Sequence, residues 1–213
     1  MALVHSLEPV ALLATITAVC ACGGGTMAGD SDEEDGTGPD TGWEVGDVGG
    51  DGSCTMDLAE VVPTEQSALL EEEAGFWLWE GVIEGDTILP PIDLAQIEIW
   101  TSHGGPDGPG TYALDGSSYA DCGLCVLVRE GCTPQDGITR CDRDFLGISG
   151  TVGIEEVGVV GENLSGTLSD LVLVEAAIDW DGGTFASEAV PGGAVVCLDS
   201  VEFSAGVAAY PIR

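Results

Sequence analysis

The chain has 213 residues, of which 38 are Asp or Glu and only 4 are Lys or Arg, giving a formal charge of −34 and a pI near 4.1. The whole basic inventory is Arg129, Arg140, Arg143 and Arg213, with no Lys, which excludes nucleic-acid or anionic-surface recognition by clustered cations. An apolar share of 44% is ordinary for a globular chain, and the length suits one domain with extensions.

From Pro9 to Cys22 the chain reads PVALLATITAVCAC, an apolar run that ends in small side chains before Gly23-Gly24-Gly25. It is too short to cross a bilayer core as a helix, which takes about 20 residues, and it fits the h-region of an export signal. Val19-Cys20-Ala21-Cys22 resembles the bacterial lipoprotein lipobox, in which a small residue precedes an acylated Cys. Ala21 suits that position and Val19 is too large for it, so residues 1–21 read as a lipoprotein signal peptide and Cys22 as the lipidated residue. One feature departs from the pattern: MALVHSLE carries Glu8 and no Lys or Arg, so either translation starts upstream of Met1 or the signal is weak. The alternative is a soluble secreted protein cut at a nearby small residue.

Residues 23–53 hold 11 Gly and 9 Asp or Glu, and their large apolar side chains are Met27, Trp43, Val45 and Val48. Such a stretch buries too little surface to offset its ordering entropy, so residues 22–53 are expected to be a disordered acidic tether with a reach of about 30 Å. Asp30, Asp32 and Asp35 invite comparison with a calcium loop, but the sixth and twelfth positions hold Asp35 and Thr41 where an EF-hand needs Gly and Glu.

From Cys54 onward, short apolar runs alternate with Gly, Pro and Asp at the spacing of an all-β domain. Strands are predicted near 76–83, 95–101, 110–114, 125–129, 151–160, 164–178 and 201–207. Ala95, Ile97, Ile99 and Thr101 share one face, opposite Gln96 and Glu98; Val201, Phe203, Ala205 and Val207 oppose Ser200, Glu202 and Ser204. Each of these two strands is therefore expected to bury one face only. Residues 164–178 are apolar on both faces and read as a central, bent strand. Glu65 to Ala74 alone looks helical, with Thr64 as N-cap and Gly75 as stop. About eight strands point to an antiparallel β-sandwich, jelly-roll-like, over residues 54–213.

The strings DCGLCVLVREGC, LSGTLSDLVLVEAAID and VPGGAVVCLDSVEFSA, spanning about Gly110 to Ala205, resemble uncharacterised envelope lipoproteins of myxobacteria and related Gram-negative predators. That resemblance implies an envelope location and a compact β domain, and it brings no known activity.

With Cys20 removed with the signal and Cys22 lipidated, six cysteines remain: Cys54, Cys122, Cys125, Cys132, Cys141 and Cys197. An even number in an exported chain points to disulfides. Six allow 15 pairings; Cys132 to Cys141 is a short local bridge, leaving Cys54 and Cys197 to tie the chain ends to the Cys122–Cys125 region. The rival reading, a four-thiolate zinc site of Cys122, Cys125, Cys132 and Cys141, lacks the paired knuckles of zinc ribbons. A thioredoxin-like role for Cys122 and Cys125 lacks a βαβ setting.

Catalytic signatures are sparse. The mature chain has one His, His103, within HGGPDGPG; no G-x-S-x-G elbow occurs, and a chain without Lys holds no Walker lysine. Acid pairs for glycoside hydrolysis are too numerous to choose among, with 28 acids from Cys54 onward. Trp77 and Trp79 lie at i and i+2 in Phe-Trp-Leu-Trp, so on a strand both indoles project to one face, either as a sugar-stacking platform or as core. The expectation is a non-enzymatic envelope lipoprotein without cofactor or metal, anchored to a Gram-negative outer membrane or cell surface and acting as a display or adhesion module towards a polysaccharide or protein ligand. The alternative is a carbohydrate-binding β-sandwich, calcium-assisted.

Overall fold

The computed structural model describes residues 54–83, 90–135, 138–180 and 182–211. The expected signal at 1–21, the lipid position Cys22 and the tether at 22–53 lie outside the described residues. Among the described residues eleven strands form: β1 (Met56–Val61), β2 (Thr64–Glu71), β3 (Phe76–Val82), β4 (Ile92–Trp100), β5 (Gly110–Ala113), β6 (Leu124–Gln135), β7 (Ile138–Arg140), β8 (Arg143–Val157), β9 (Asn163–Ile178), β10 (Ser187–Ala189) and β11 (Val195–Ala209). Among the described residues the one helical element is a 3-10 turn, Thr101–His103.

The helix expected over 65–74 is instead strand β2 and the turn after it. Ala68 and Leu70 are buried while Ser67 between them and the chain start is exposed, and Glu71 stands opposite Phe76 in an antiparallel pair with β3. The Ala, Leu and Glu content favours a helix only weakly, and burying one face of a hairpin overrides it.

Strands β2, β3, β4, β6, β8 and β9 are antiparallel neighbours in that order. Strand β11 then pairs antiparallel with β9 along Val195–Gly206. Its other edge pairs parallel, first with β1 over Val196–Val201 and then with β2 over Val207–Ala209. The hydrogen-bonded path thus returns to β2 and closes. The result is one large mixed sheet, with parallel pairs on β11 in place of the all-antiparallel pairing that the strand spacing suggests.

The ring encloses the main core, which includes Trp79, Ile97, Val128, Phe145, Leu164, Leu168, Leu171, Leu173 and Phe203. In β9 the inward parity changes between Leu168 and Leu171, and Asp170 between them adopts φ +52°. Gly150 on the facing β8 has φ +116°, and a Cβ there would lie 2.7 Å from the Asp170 carbonyl. This paired irregularity is the bend expected in the central strand; it lets one long strand feed the core from both of its parities.

Among the described residues three disulfides form: Cys54–Cys197, Cys122–Cys125 and Cys132–Cys141. The local bridge is as expected. Cys54 and Cys197 join each other rather than the Cys122–Cys125 region, because β1 runs parallel along β11 and brings Asp57 opposite Cys197. The four thiols of the zinc reading are paired among themselves.

Gly166 in β9 faces Ile154 and Phe203, and a Cβ there would meet the Gly153 carbonyl at 1.9 Å and the Phe203 ring at 2.7 Å. Gly166→Ala is expected to cost about 1–3 kcal/mol or more in urea denaturation. Gly206→Ala, where a Cβ meets nothing within 4 Å, is expected to stay within about 0.5 kcal/mol of the parent.

Candidate functional site

Strand β4 buries both faces, contrary to the one-sided burial its alternation suggests. Ala95, Ile97 and Ile99 point into the ring, and on the outer side Gln96 and Glu98 are only 4% and 2% exposed. The reason lies on the neighbouring strands, where the same outer face presents Leu78, Leu127 and Leu146, all buried. Leu127 and Leu146 are covered by Tyr119, Trp180 and Phe185, carried by the segments that follow β5 and β9. C-terminal β11 does follow the expectation over 201–207, with buried and exposed residues alternating.

Under that cover lies a connected polar group. Both carboxylate oxygens of Glu98 accept the Tyr119 hydroxyl at 2.9 Å, and Oε2 also accepts the Trp100 indole N–H at 3.2 Å. The Gln96 amide Nε2 donates to Glu80 Oε1 across the β3–β4 pair. Arg129 Nε donates to Asp144 Oδ1 at 2.7 Å, its guanidinium lies 4.6 Å over the Trp180 ring, and the Trp180 N–H donates to Asp144 Oδ2 at 2.8 Å. The Tyr119 ring meets Trp180 edge-on at 5.0 Å. Gln96 Oε1, fully enclosed, has no hydrogen-bond donor.

The group holds three carboxyls, Glu80, Glu98 and Asp144, around one guanidinium. Burial raises the Glu98 carboxyl above its ordinary range, outweighing the hydrogen bonds from Tyr119 and Trp100 and the charge of Arg129. Burial likewise raises Glu80, against the Gln96 bond and Arg129. The Tyr119 hydroxyl is pushed well above its ordinary value by burial and then by the charge of Glu98, so it stays a donor. Two carboxyls that resist ionisation, Glu98 buried and Glu80 half-buried beside it, both held by fixed donors, are suited to taking up and releasing a proton.

The residues singled out from sequence lie elsewhere or play other parts. Trp79 is fully buried beside Phe203, with its N–H 3.3 Å from Gln66 Oε1; Trp77 packs on the same core and donates to the Gly158 carbonyl at 3.0 Å. Both indoles do share one face, but that face is the interior of the closed sheet, so they form core and not a stacking platform. His103 is exposed and stacks on Trp100 at 6.0 Å between ring centres, at the margin of the polar group. Cys122 and Cys125 line the covered face, with Cys125 directly opposite Glu98. Glu80, Gln96, Glu98, Tyr119, Arg129 and Asp144 were not singled out by motif. For three of them the signal was an apolar residue two positions away: Leu78 before Glu80, Leu127 before Arg129, Leu146 after Asp144.

No protein-family model, no curated protein and no solved structure matches the chain.

Two outcomes test this group. Arg129→Met leaves Asp144 without its ion-pair partner and is expected to cost about 3–5 kcal/mol in urea denaturation, with much of the loss recovered by adding Asp144→Leu. Glu80 and Glu98 are raised in the folded state from the ordinary value of 4.5. Their contribution to stability is therefore complete below about pH 4.5 and is lost as pH rises through the raised values. Denaturation at stepped pH should show the parent losing stability over that window, and Glu98→Gln should remove part of the slope.

Proposed function

We propose that the protein is a non-enzymatic cell-envelope lipoprotein, lipidated at Cys22 and displaying the closed β domain on its acidic tether as a surface or adhesion module. The observation that carries this reading is the pairing of all six cysteines from Cys54 onward into three bridges, the cysteine usage of an oxidising compartment. The acidic surface supports it, since strong net charge keeps an exported protein soluble. The jelly-roll-like sandwich belongs to the same proposal: flattening the closed sheet into two facing layers reconciles it with the ring through β11.

A carbohydrate-binding reading rests on Trp100 and Trp180 rather than on Trp77 and Trp79. Both are half-buried and have their N–H groups held by Glu98 and Asp144, an arrangement that fixes indole orientation in advance of a ligand. A tryptophan fluorescence response to polysaccharide hydrolysates that disappears in Trp180→Ala, with the fold retained, favours this second reading.

The test of the leading proposal is the intact mass of the protein isolated from its native membrane, with and without reduction and alkylation. The expected result is a chain starting at acylated Cys22, with six thiols that react only after reduction. A mass without lipid, or thiols that alkylate in the absence of reductant, overturns it.

A further inference from the structure

Segment 114–123 crosses the outer face of β4 and β6, and its attachments are unequal. At one end the Leu114 N–H bonds the Gly150 carbonyl at 3.0 Å; at the other the Cys122–Cys125 bridge fixes it to the start of β6. In the middle the contacts centre on Tyr119, through its hydroxyl on Glu98, its backbone N–H on Ser187 Oγ at 2.9 Å and its ring on Trp180 and Phe185. Beneath it, Glu80 from β3 and Glu98 from β4 face each other diagonally across one strand pair, with Gln96 between them.

The charges facing Glu98 do not cancel. Arg129 comes from β6 and is bound directly to Asp144 from β8; β9 contributes Ala176 and Ile178. With every carboxyl ionised, Glu80, Glu98, Asp144 and Arg129 carry two net negative charges in a site that water reaches only in part, a costly state. The enclosed Gln96 Oε1 lacks a donor, and a protonated carboxyl on either neighbour supplies an O–H of the kind it lacks. Both observations ask for one bound proton. We propose that Glu98 and the Tyr119 segment form an acid-closed latch, in which segment 114–123 lies over Glu98 while the Glu80–Gln96–Glu98 group holds a proton and lifts when that proton leaves.

The direction follows from hydration. An ionised Glu98 still accepts the Tyr119 hydroxyl, and more strongly, but two donors replace only part of the water shell of a free carboxylate, and Glu80 stands nearby with the same sign. Lifting the segment hydrates both. The segment's own carboxyls work differently: Asp121 accepts Ser118 Oγ at 2.7 Å. Asp115 accepts Ser117 Oγ at 2.6 Å and Ser117 N–H at 3.0 Å, bonds that lower it and favour the local turn as pH rises. Asp179 on the other covering segment is occupied by Gly182 N–H and Thr184 Oγ1. The expected loosening with rising pH therefore comes from Glu80 and Glu98.

The test is amide hydrogen exchange of the full chain with its bridges intact, corrected for intrinsic exchange, at stepped pH from 5 to 8. Protection at residues 118–122 is expected to fall by up to about tenfold per pH unit across the interval between the ordinary and raised carboxyl values. Protection in β9 and β11 should hold. In Glu98→Gln, protection at 118–122 should be higher and fall less steeply with pH, the remaining dependence coming from Glu80. Constant protection at 118–122 in the parent, or the same fall in Glu98→Gln, overturns the latch. Should Glu98→Gln fail to fold, carboxyl carbon NMR of the parent decides: titration of Glu98 at an ordinary value overturns the proposal, and titration above it, together with the fall in protection, supports it.

Discussion

Strand β11 is hydrogen-bonded along both edges, to β9 on one side and to β1 and then β2 on the other. That double use closes the sheet and leaves the seven ring strands without a continuous open edge, the usual hazard of a large sheet. It also creates an enclosed interior, which only apolar side chains can fill, and it assigns Trp77, Trp79 and Phe203 to that interior. The seam depends on parallel pairs, which a short turn cannot make between neighbouring strands, and the chain ends of the described domain meet there. Cys54–Cys197 bonds the approach to β1 onto β11 at that seam, so the cross-link with the longest loop, 143 residues apart, stabilises the contact with the largest closure entropy.

Closure has a second effect on the outside of the ring. A half-buried sheet ordinarily turns its outer face to water, but the outer face of β3, β4, β6 and β8 carries Leu78, Leu127 and Leu146 and has to be covered. The covering segments bring Tyr119, Trp180 and Phe185, and the acids and the arginine interspersed with those leucines are buried or half-buried as a consequence. Among the described residues Glu98 is the buried carboxyl, and the donors of Tyr119, Trp100, Trp180 and Gln96 go to it and to its neighbours Asp144 and Glu80. Buried ionic groups of this kind are weak evidence for stability. What they do fix is register: Arg129 meets Asp144 in one alignment of β6 on β8, and Glu98 meets Tyr119 in one alignment of cover on sheet.

Two strands were legible because period-two alternation is local: β4 and β11 follow from their own residues. What alternation does not reveal is whether the opposite parity faces water or a cover, which depends on strands and segments distant in sequence. Gln96 and Glu98 read as a solvent face for that reason, and with them most of the candidate site was hidden. Trp77 and Trp79 were read correctly as sharing a face, while the identity of that face depended on ring closure, a contact between β11 and β2 more than a hundred residues apart. In Glu65 to Ala74 local propensity pointed to a helix that tertiary pairing did not allow. Among the cysteines the short bridge was legible from spacing, whereas Cys54–Cys197 required knowing that β1 runs parallel to β11.

The three bridges lie where the hydrogen-bonded path changes partner. Cys54–Cys197 sits at the closing seam, Cys132–Cys141 holds β6 where its pairing passes from β4 and β8 to β7, and Cys122–Cys125 holds the foot of the covering segment at the start of β6. The last of these spans three residues and removes little chain entropy, so its effect is positional: it keeps Cys125 opposite Glu98 and anchors the segment beside Tyr119. The covering segment is fixed at both ends, by the Leu114 N–H and by this bridge, and fastened in the middle through Tyr119, by its hydroxyl on Glu98, its N–H on Ser187 and its ring on Trp180 and Phe185. Cross-links set the geometry of the site, and the charge state of Glu98 is what remains free to vary within it.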